Sequence, residues 1–143
     1  MDVQRLALRF RIGDMTLQEV SSAAAELICD GVASPSLERL AWGHVSGPDE
    51  ARWLLTAAAD ETGASGEVLD EVRSFVRDIA SEIVRGTLTP YEGARRIWSA
   101  ALLLPAEHTY DQFIYAASEY ENRPDDRPFF EDAIRREARN FST

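Results

Sequence analysis

Lysine is absent from this sequence of 143 residues, so all fifteen basic residues are arginines. Without lysine, the chain has no amine for Schiff-base chemistry and no lysine clamp for a phosphate group. An arginine-only composition is typical of a GC-rich coding sequence and indicates a bacterial protein.

Cysteine is nearly absent, since Cys29 stands alone and excludes an intramolecular disulfide. It follows Leu27 and Ile28 in an apolar stretch, which predicts a reduced, buried thiol. Long apolar runs are also missing, because the longest one, residues 100–104, is too short to cross a bilayer. The first residues lack the basic-then-apolar order of a signal peptide, so we expect a cytoplasmic protein without membrane contact.

Positive charge is scarce, because 25 acidic residues against the fifteen arginines give a net charge of −10. Residues 1–72 hold 13 acids and 5 bases, whereas residues 73–143 hold 12 acids and 10 bases. This balance repels a phosphate backbone, which disfavours nucleic acid as a partner and favours a basic protein. With 45% hydrophobic and 28% charged residues, the composition is globular, and the length predicts a single domain over residues 1–143.

Apolar residues recur at helical spacing nearly throughout, and no segment alternates as a strand does. We therefore predict an all-α fold, an irregular or orthogonal bundle of about eight short helices. The clearest is the fifth helix, whose apolar positions repeat every three or four residues from Val68 to Ile83 before Gly86 ends it. A stripe this regular predicts the central helix of the bundle.

Three threonines have an acid or an amide three residues later, which is the spacing of a capping box at a helix start. The pairs are Thr16 with Glu19, Thr89 with Glu92, and Thr109 with Gln112. The first two lie in an internal echo, G-x-[ML]-T-x-x-E, at a spacing of 73 residues. Two helical hairpins with the same linker geometry explain the echo, and a true duplication is the alternative.

Enzyme signatures are mostly missing: the sequence contains no G-x-S-x-G, G-x-x-x-x-G-K-[ST], G-x-G-x-x-G or H-E-x-x-H motif. The two histidines, His44 and His108, lie near no nucleophile motif. The best metal-like grouping is His108 with Asp111 at a helix start, where a loop histidine beside a dipole-favoured acid is the simpler interpretation. We therefore predict no catalytic residue, no metal and no cofactor.

Two groups of residues are predicted to bind a partner. The first, the acidic loop, brackets Gly63 and Gly66 and consists of Asp60, Glu61, Glu67, Asp70 and Glu71. Its first two acids lie at the C-terminal end of the fourth helix, where the helix dipole disfavours anions. Such a misfit is typical of a docking patch for a basic partner, and a solvated loop is the alternative.

The second group lies on the seventh helix, partly off its inward-facing stripe, and consists of Tyr115, Glu119, Tyr120 and Glu121. Tyrosine offers a large, stiff contact area with a polar tip, and neighbouring acids suit an arginine- or lysine-rich partner. The alternative is that both tyrosines pack within the domain.

The stretch from Ile83 through Gly86, Thr89 and Glu92 to Trp98 resembles a helical hairpin of small bacterial proteins in the colicin-D immunity-like group. The resemblance covers this hairpin alone and consists largely of capping signals, so it transfers no partner-contacting residue. It implies an all-α protein that binds and blocks a toxin domain.

The sequence leaves three classes of function open. The leading prediction is a non-catalytic protein-binding module, most concretely an immunity-type inhibitor of a basic toxin or nuclease. The second is a structural or regulatory subunit that self-associates through Trp42 and Trp53, which lie beside the apolar stripes of their helices. The third is a small metal- or acid/base-dependent enzyme that uses His108, Asp111 and the acids of the seventh helix.

Overall fold

The computed structural model describes residues 1–64 and 66–142, which form eight α-helices, one short 3-10 helix at Pro124–Asp126 and no strand. The α-helices are α1 (Val3–Arg11), α2 (Leu17–Cys29), α3 (Pro35–Trp42), α4 (Pro48–Glu61), α5 (Val68–Arg85), α6 (Pro90–Ala101), α7 (Asp111–Asn122) and α8 (Arg127–Phe141). The predicted all-α fold with eight helices is confirmed.

The chain divides into two compact units, Met1–Glu67 and Val68–Thr143. The first unit contains α1 to α4, and the second contains α5 to α8. The single domain over residues 1–143, with α5 at its centre, stays a prediction.

In the first unit, α3 packs against α2 and α4, and α1 packs against α4. Each helix contributes apolar residues at three- and four-residue spacing to one core. The most deeply buried large side chains of this core are Leu6, Val20, Leu37, Leu54 and Leu55.

In the second unit, α5 packs against α6 and α8, and α7 packs against the same two helices. The helices α5 and α6 approach closely at Gly93, where an added Cβ would lie 2.5 Å from Cδ1 of Ile83. Any larger residue at position 93 would force the Ile83 side chain to move. The largest fully buried side chains of this unit are Phe75, Phe113, Ile97, Ile134, Val72 and Val76.

One of the three predicted capping boxes is confirmed. The Thr16 hydroxyl accepts a 3.1 Å hydrogen bond from the N–H of Glu19, whose carboxylate accepts a 3.1 Å bond from the N–H of Thr16. The helix α6 does begin after Thr89, but the Thr89 side chain makes no capping hydrogen bond.

The predicted box at Thr109 is wrong, because the helix begins one residue later than the sequence indicates. The residue that precedes α7 is Tyr110, which makes no side-chain capping bond. The Thr109 hydroxyl donates instead to the carboxylate of Glu107. This local contact between a threonine and an acid competes with capping of the helix.

The predicted burial of Cys29 is wrong, because the thiol is exposed. Cys29 is the last residue of α2 and lies two positions, or about 200° of helical rotation, beyond the buried Leu27. It therefore faces away from the core despite its apolar neighbours. Among the described helices, none has both the length and the apolar composition that a membrane span requires.

Candidate partner-binding surfaces

The last turn of α4 carries the first two residues of the acidic loop, Asp60 and Glu61. The Glu61 carboxylate accepts 2.6 Å hydrogen bonds from the hydroxyls of Ser34 and Ser36, and a 3.1 Å bond from the N–H of Ser36. These donors, the Ser34 hydroxyl first among them, hold the pKa of Glu61 below its usual value. Asp60 also has an interaction within the chain. Glu61 thus ties α4 to the start of α3, and its role in docking stays a prediction.

The remaining acids of the loop belong to two different units. Glu67 is exposed at the end of the first unit. Asp70 and Glu71 lie in the first turn of α5, where negative charge is favoured by the helix dipole. Of these two, Asp70 is exposed, whereas Glu71 is partly buried and interacts within the chain. The loop as a docking patch stays a prediction.

Tyr120, on the seventh helix, is packed between side chains of two other helices. Its ring stacks on Tyr91 of α6, with centroids 4.5 Å apart and planes inclined by 15°. The guanidinium of Arg127 also lies over the Tyr120 ring, 4.7 Å from its centroid. Nε of the same arginine donates a 3.1 Å hydrogen bond to the backbone carbonyl of Tyr120. Beside this stack, the Tyr91 hydroxyl donates to Glu121, which raises the pKa of Tyr91. Tyr120 and Glu121 therefore hold α6, α7 and the start of α8 together.

Tyr115 lies on a different part of the same helix and is 58% exposed. Its ring contacts the buried Phe130 of α8 edge-on, at 6.4 Å between centroids. Phe129, which is 63% exposed, contacts Phe130 edge-on from its own helix, at 5.1 Å. Both exposed rings thus pack against the same buried ring, and we call these three residues of the second unit the α7–α8 aromatic surface. This surface contains Tyr115, which the sequence predicts to bind a partner, and Phe129, which it does not.

A signal for Phe129 is present in the sequence. Two consecutive residues of a helix point about 100° apart, so Phe129 and Phe130 cannot both lie at the centre of one apolar face. Because Phe130 shares the stripe of Ile134 and Ala138, Phe129 must lie at its border. Helical rotation alone therefore predicts that one of the two phenylalanines is exposed.

Acidic side chains surround the α7–α8 aromatic surface. Tyr115 has Asp111 one turn before it and Glu119 one turn after it on the same helix face. Phe129 follows Asp126, the residue that precedes α8, and has Asp132 one turn after it. Of the neighbouring arginines, Arg123 and Arg135 are each shared between two acids, and the guanidinium of Arg123 also lies 5.8 Å from the centroid of the Phe130 ring. The pairs are Arg123 with Glu119 (3.6 Å) and Asp126 (3.2 Å), and Arg135 with Glu131 (3.6 Å) and Asp132 (2.9 Å).

Trp42 and Trp53 are each 65% exposed on the first unit. Trp42 is the last residue of α3 and lies one turn after Arg39, and Trp53 lies one turn after Glu50 on α4. An ion pair between Arg39 and Glu50 joins the two helices. Because residues three apart share a helix face, both indoles lie on the side of the unit that carries this ion pair.

His108 and Asp111 form an exposed pair, with 3.2 Å between Nδ1 and Oδ2 and side chains 79% and 57% exposed. Within the described part of the chain, no three histidine, cysteine or acidic side chains are grouped as metal ligands. An exposed two-residue pair supplies neither a closed metal site nor a buried acid–base pair.

No protein family, curated protein or solved structure matches this chain.

Proposed function

We propose that this chain is a non-catalytic protein-binding module whose α7–α8 aromatic surface takes a basic protein partner. The observation that carries the proposal is the joint exposure of Tyr115 and Phe129 around one buried ring, Phe130. A few residues carry most of the binding energy of a protein interface, and tyrosine is among the residue types enriched at such positions. Phe130, which is 3% exposed, is that support here.

The charge around the rings supports a basic partner over a neutral one. Asp111, Glu119, Asp126 and Asp132 lie at the rim of the patch, where charges guide the approach of a partner more than they add to final affinity. The most concrete version of the proposal is an immunity-type inhibitor that covers the basic active site of a toxin or nuclease. Such a site binds phosphates and is rich in arginine and lysine, so it is complementary to an acidic rim around aromatic rings.

The test measures inhibition and affinity against a panel of basic bacterial nuclease-toxin domains, at low and at moderate salt. We expect a cognate domain to be inhibited stoichiometrically, with an affinity that falls as salt rises. The double variant Tyr115→Ala/Phe129→Ala loses about tenfold or more of this affinity, because both rings lie at the centre of the contact.

The matched control is Trp42→Ala/Trp53→Ala, which removes two equally exposed aromatic rings from the other unit. This control retains the affinity of the wild-type protein. Equal loss in both double variants, or affinity that is unchanged by salt, contradicts binding at the α7–α8 aromatic surface. If no basic nuclease domain is bound or inhibited, the immunity-type version fails.

A further inference from the structure

The side chain of Arg123 binds to the α7–α8 aromatic surface from within the chain. Its guanidinium lies over the Phe130 ring, 5.8 Å from the centroid, which is within the range of a cation–π contact. The same group pairs with Glu119 at 3.6 Å and with Asp126 at 3.2 Å. One aromatic ring and two carboxylates therefore hold a guanidinium at the surface proposed for a basic partner. We call Glu119, Asp126 and Phe130 the guanidinium site.

The backbone of Arg123 is fixed independently of its side chain. Its N–H donates a 2.8 Å hydrogen bond to the carbonyl of Glu119, and its own carbonyl accepts a 3.0 Å bond from the N–H of Asp126. The side chain, by contrast, is 55% exposed. It can therefore leave the guanidinium site by rotation about its own bonds, with no change in the backbone that joins α7 to α8.

The contacts that hold the Arg123 side chain are weak enough to be exchanged. The side chains of Glu119 and Asp126 are 27% and 49% exposed, so both ion pairs are open to water. Exposed ion pairs and exposed cation–π contacts contribute little to stability, because water competes for the charges and two side chains lose conformational freedom. An arginine from a partner makes the same contacts and replaces Arg123 at little cost.

The chemistry of the guanidinium site favours arginine over lysine as the entering side chain. A guanidinium is planar and weakly hydrated, so it stacks on an aromatic ring while its separate N–H groups reach two carboxylates. In the structure, Nη1 of Arg123 approaches Glu119 while Nη2 approaches Asp126. A lysine ammonium is a compact, strongly hydrated point charge, which does not bridge two acids in this planar way.

We propose that Arg123 occupies, in the unbound protein, the position that an arginine of the partner takes in the complex. Arg123 is then an internal competitor that lowers the affinity of the α7–α8 aromatic surface for arginine-rich segments. This inference rests on the proposed function for its location, and it adds the side chain that is recognised and the residue that limits its binding. Its consequence is that removal of Arg123 strengthens binding.

The experiment compares the binding of two labelled peptides of equal length, oligoarginine and oligolysine, by fluorescence anisotropy at low salt. We expect Arg123→Ala to bind oligoarginine about three- to tenfold more tightly than the wild type. For oligolysine we expect a gain of less than about twofold, because an ammonium uses the vacated ring and carboxylates less well.

The matched control is Arg135→Ala. Arg135 is likewise shared between two acids, Glu131 and Asp132, and its side chain is 43% exposed, but among the described residues it lies over no aromatic ring. Both variants remove one positive charge, so the net charge of the protein attracts a cationic peptide equally in each. An excess gain of Arg123→Ala over Arg135→Ala therefore reports the guanidinium site.

A second variant tests the site without a change in charge. Arg123→Lys keeps the positive charge but loses the planar group, and we expect it to bind oligoarginine about two- to threefold more tightly than the wild type. Circular dichroism verifies that each variant is folded. Equal gains in Arg123→Ala and Arg135→Ala overturn the inference. So do equal gains for the two peptides, or the absence of any peptide binding.

Failure of this inference and failure of the proposed function give different results. If a nuclease domain is inhibited through Tyr115 and Phe129 while Arg123→Ala shows no excess gain for oligoarginine, the proposed function stands and the inference is wrong. If the excess gain is measured and no nuclease domain is bound, the guanidinium site stands and the immunity-type function fails.

Discussion

The Ser34 hydroxyl donates a 2.6 Å hydrogen bond to the carboxylate of Glu61, which lies 27 residues further along the chain. The same hydroxyl accepts a 3.2 Å bond from the N–H of Leu37 in the first turn of α3. Ser34 is 2% exposed, and so this chain of bonds is shielded from solvent at one end. Glu61, which the sequence assigns to a docking patch, thus completes the hydrogen-bonded cap at the start of α3.

The Glu61 carboxylate makes the stability of the protein depend on pH. Its pKa is lowered in the folded state, so its contribution is present above the ordinary pKa of glutamate and is lost as pH falls through the lowered value. We expect Glu61→Gln to unfold at a lower denaturant concentration than the wild type at neutral pH. The difference between the two proteins shrinks as the solution is acidified. Urea unfolding followed by circular dichroism at several pH values measures this.

The control for that experiment is Glu26→Gln, which changes an exposed acid of α2 in the same unit. It should unfold like the wild type at neutral pH. If Glu61→Gln and Glu26→Gln behave alike across the pH range, the bonds from Ser34 and Ser36 do not stabilise the fold.

The close packing at Gly93 predicts that substitution by alanine lowers stability, which is unusual for a glycine within a helix. In most helices, glycine to alanine is stabilising by about 0.5–1 kcal/mol. Here the new Cβ meets Cδ1 and Cγ1 of the buried Ile83, and we expect Gly93→Ala to lower the free energy of unfolding by about 1–2 kcal/mol. Gly47→Ala is the control, since an added Cβ there has nothing within 4 Å. A stabilising effect of Gly93→Ala in chemical denaturation would contradict the close packing of α5 on α6.

The exposure of Cys29 predicts that its thiol reacts in the native protein. We expect stoichiometric labelling by a thiol reagent such as Ellman's reagent without denaturant, at a rate similar to that of the unfolded chain. A buried thiol reacts only during opening of the structure. Labelling that requires denaturant is therefore the result that contradicts the exposed position.

Tyr120 and Tyr115 are predicted to differ in their effect on stability. Tyr120→Ala removes a stacked ring and the cation–π contact of Arg127, so we expect a loss of about 1–3 kcal/mol in the free energy of unfolding. Tyr115→Ala removes an exposed ring and is expected to cost less than about 1 kcal/mol. Thermal unfolding of the two variants measures the difference. Equal losses would show that Tyr115 is also required for packing.

The helices were predictable because their signals are local. The stripe from Val68 to Ile83 specifies α5, and the capping box at Thr16 specifies the start of α2, each within a short window of sequence. The positions of Trp42 and Trp53 beside the apolar stripes of their helices were equally readable, and both are exposed.

The candidate surfaces were less predictable because they depend on contacts between helices. Whether Tyr115 or Tyr120 is exposed is decided by Tyr91 of α6 and by Arg127 at the start of α8, which no periodicity within α7 reveals. Likewise, Glu61 has two serine partners more than twenty residues away. A charged residue can be assigned to the surface from sequence, but its partners require the fold.

The two copies of the G-x-[ML]-T-x-x-E echo differ in the contacts that stabilise the helix start that each contains. The start of α2 is stabilised by reciprocal bonds between Thr16 and Glu19, whereas α6 starts without a side-chain bond from Thr89. The first turn of α2 can therefore nucleate early in folding, before any distant segment has arrived. The first turn of α6 has local support of another kind, in Pro90 at its start and in the ion pair of Glu92 with Arg95, so the same seven-letter pattern fixes one helix start by reciprocal capping and the other by proline and charge.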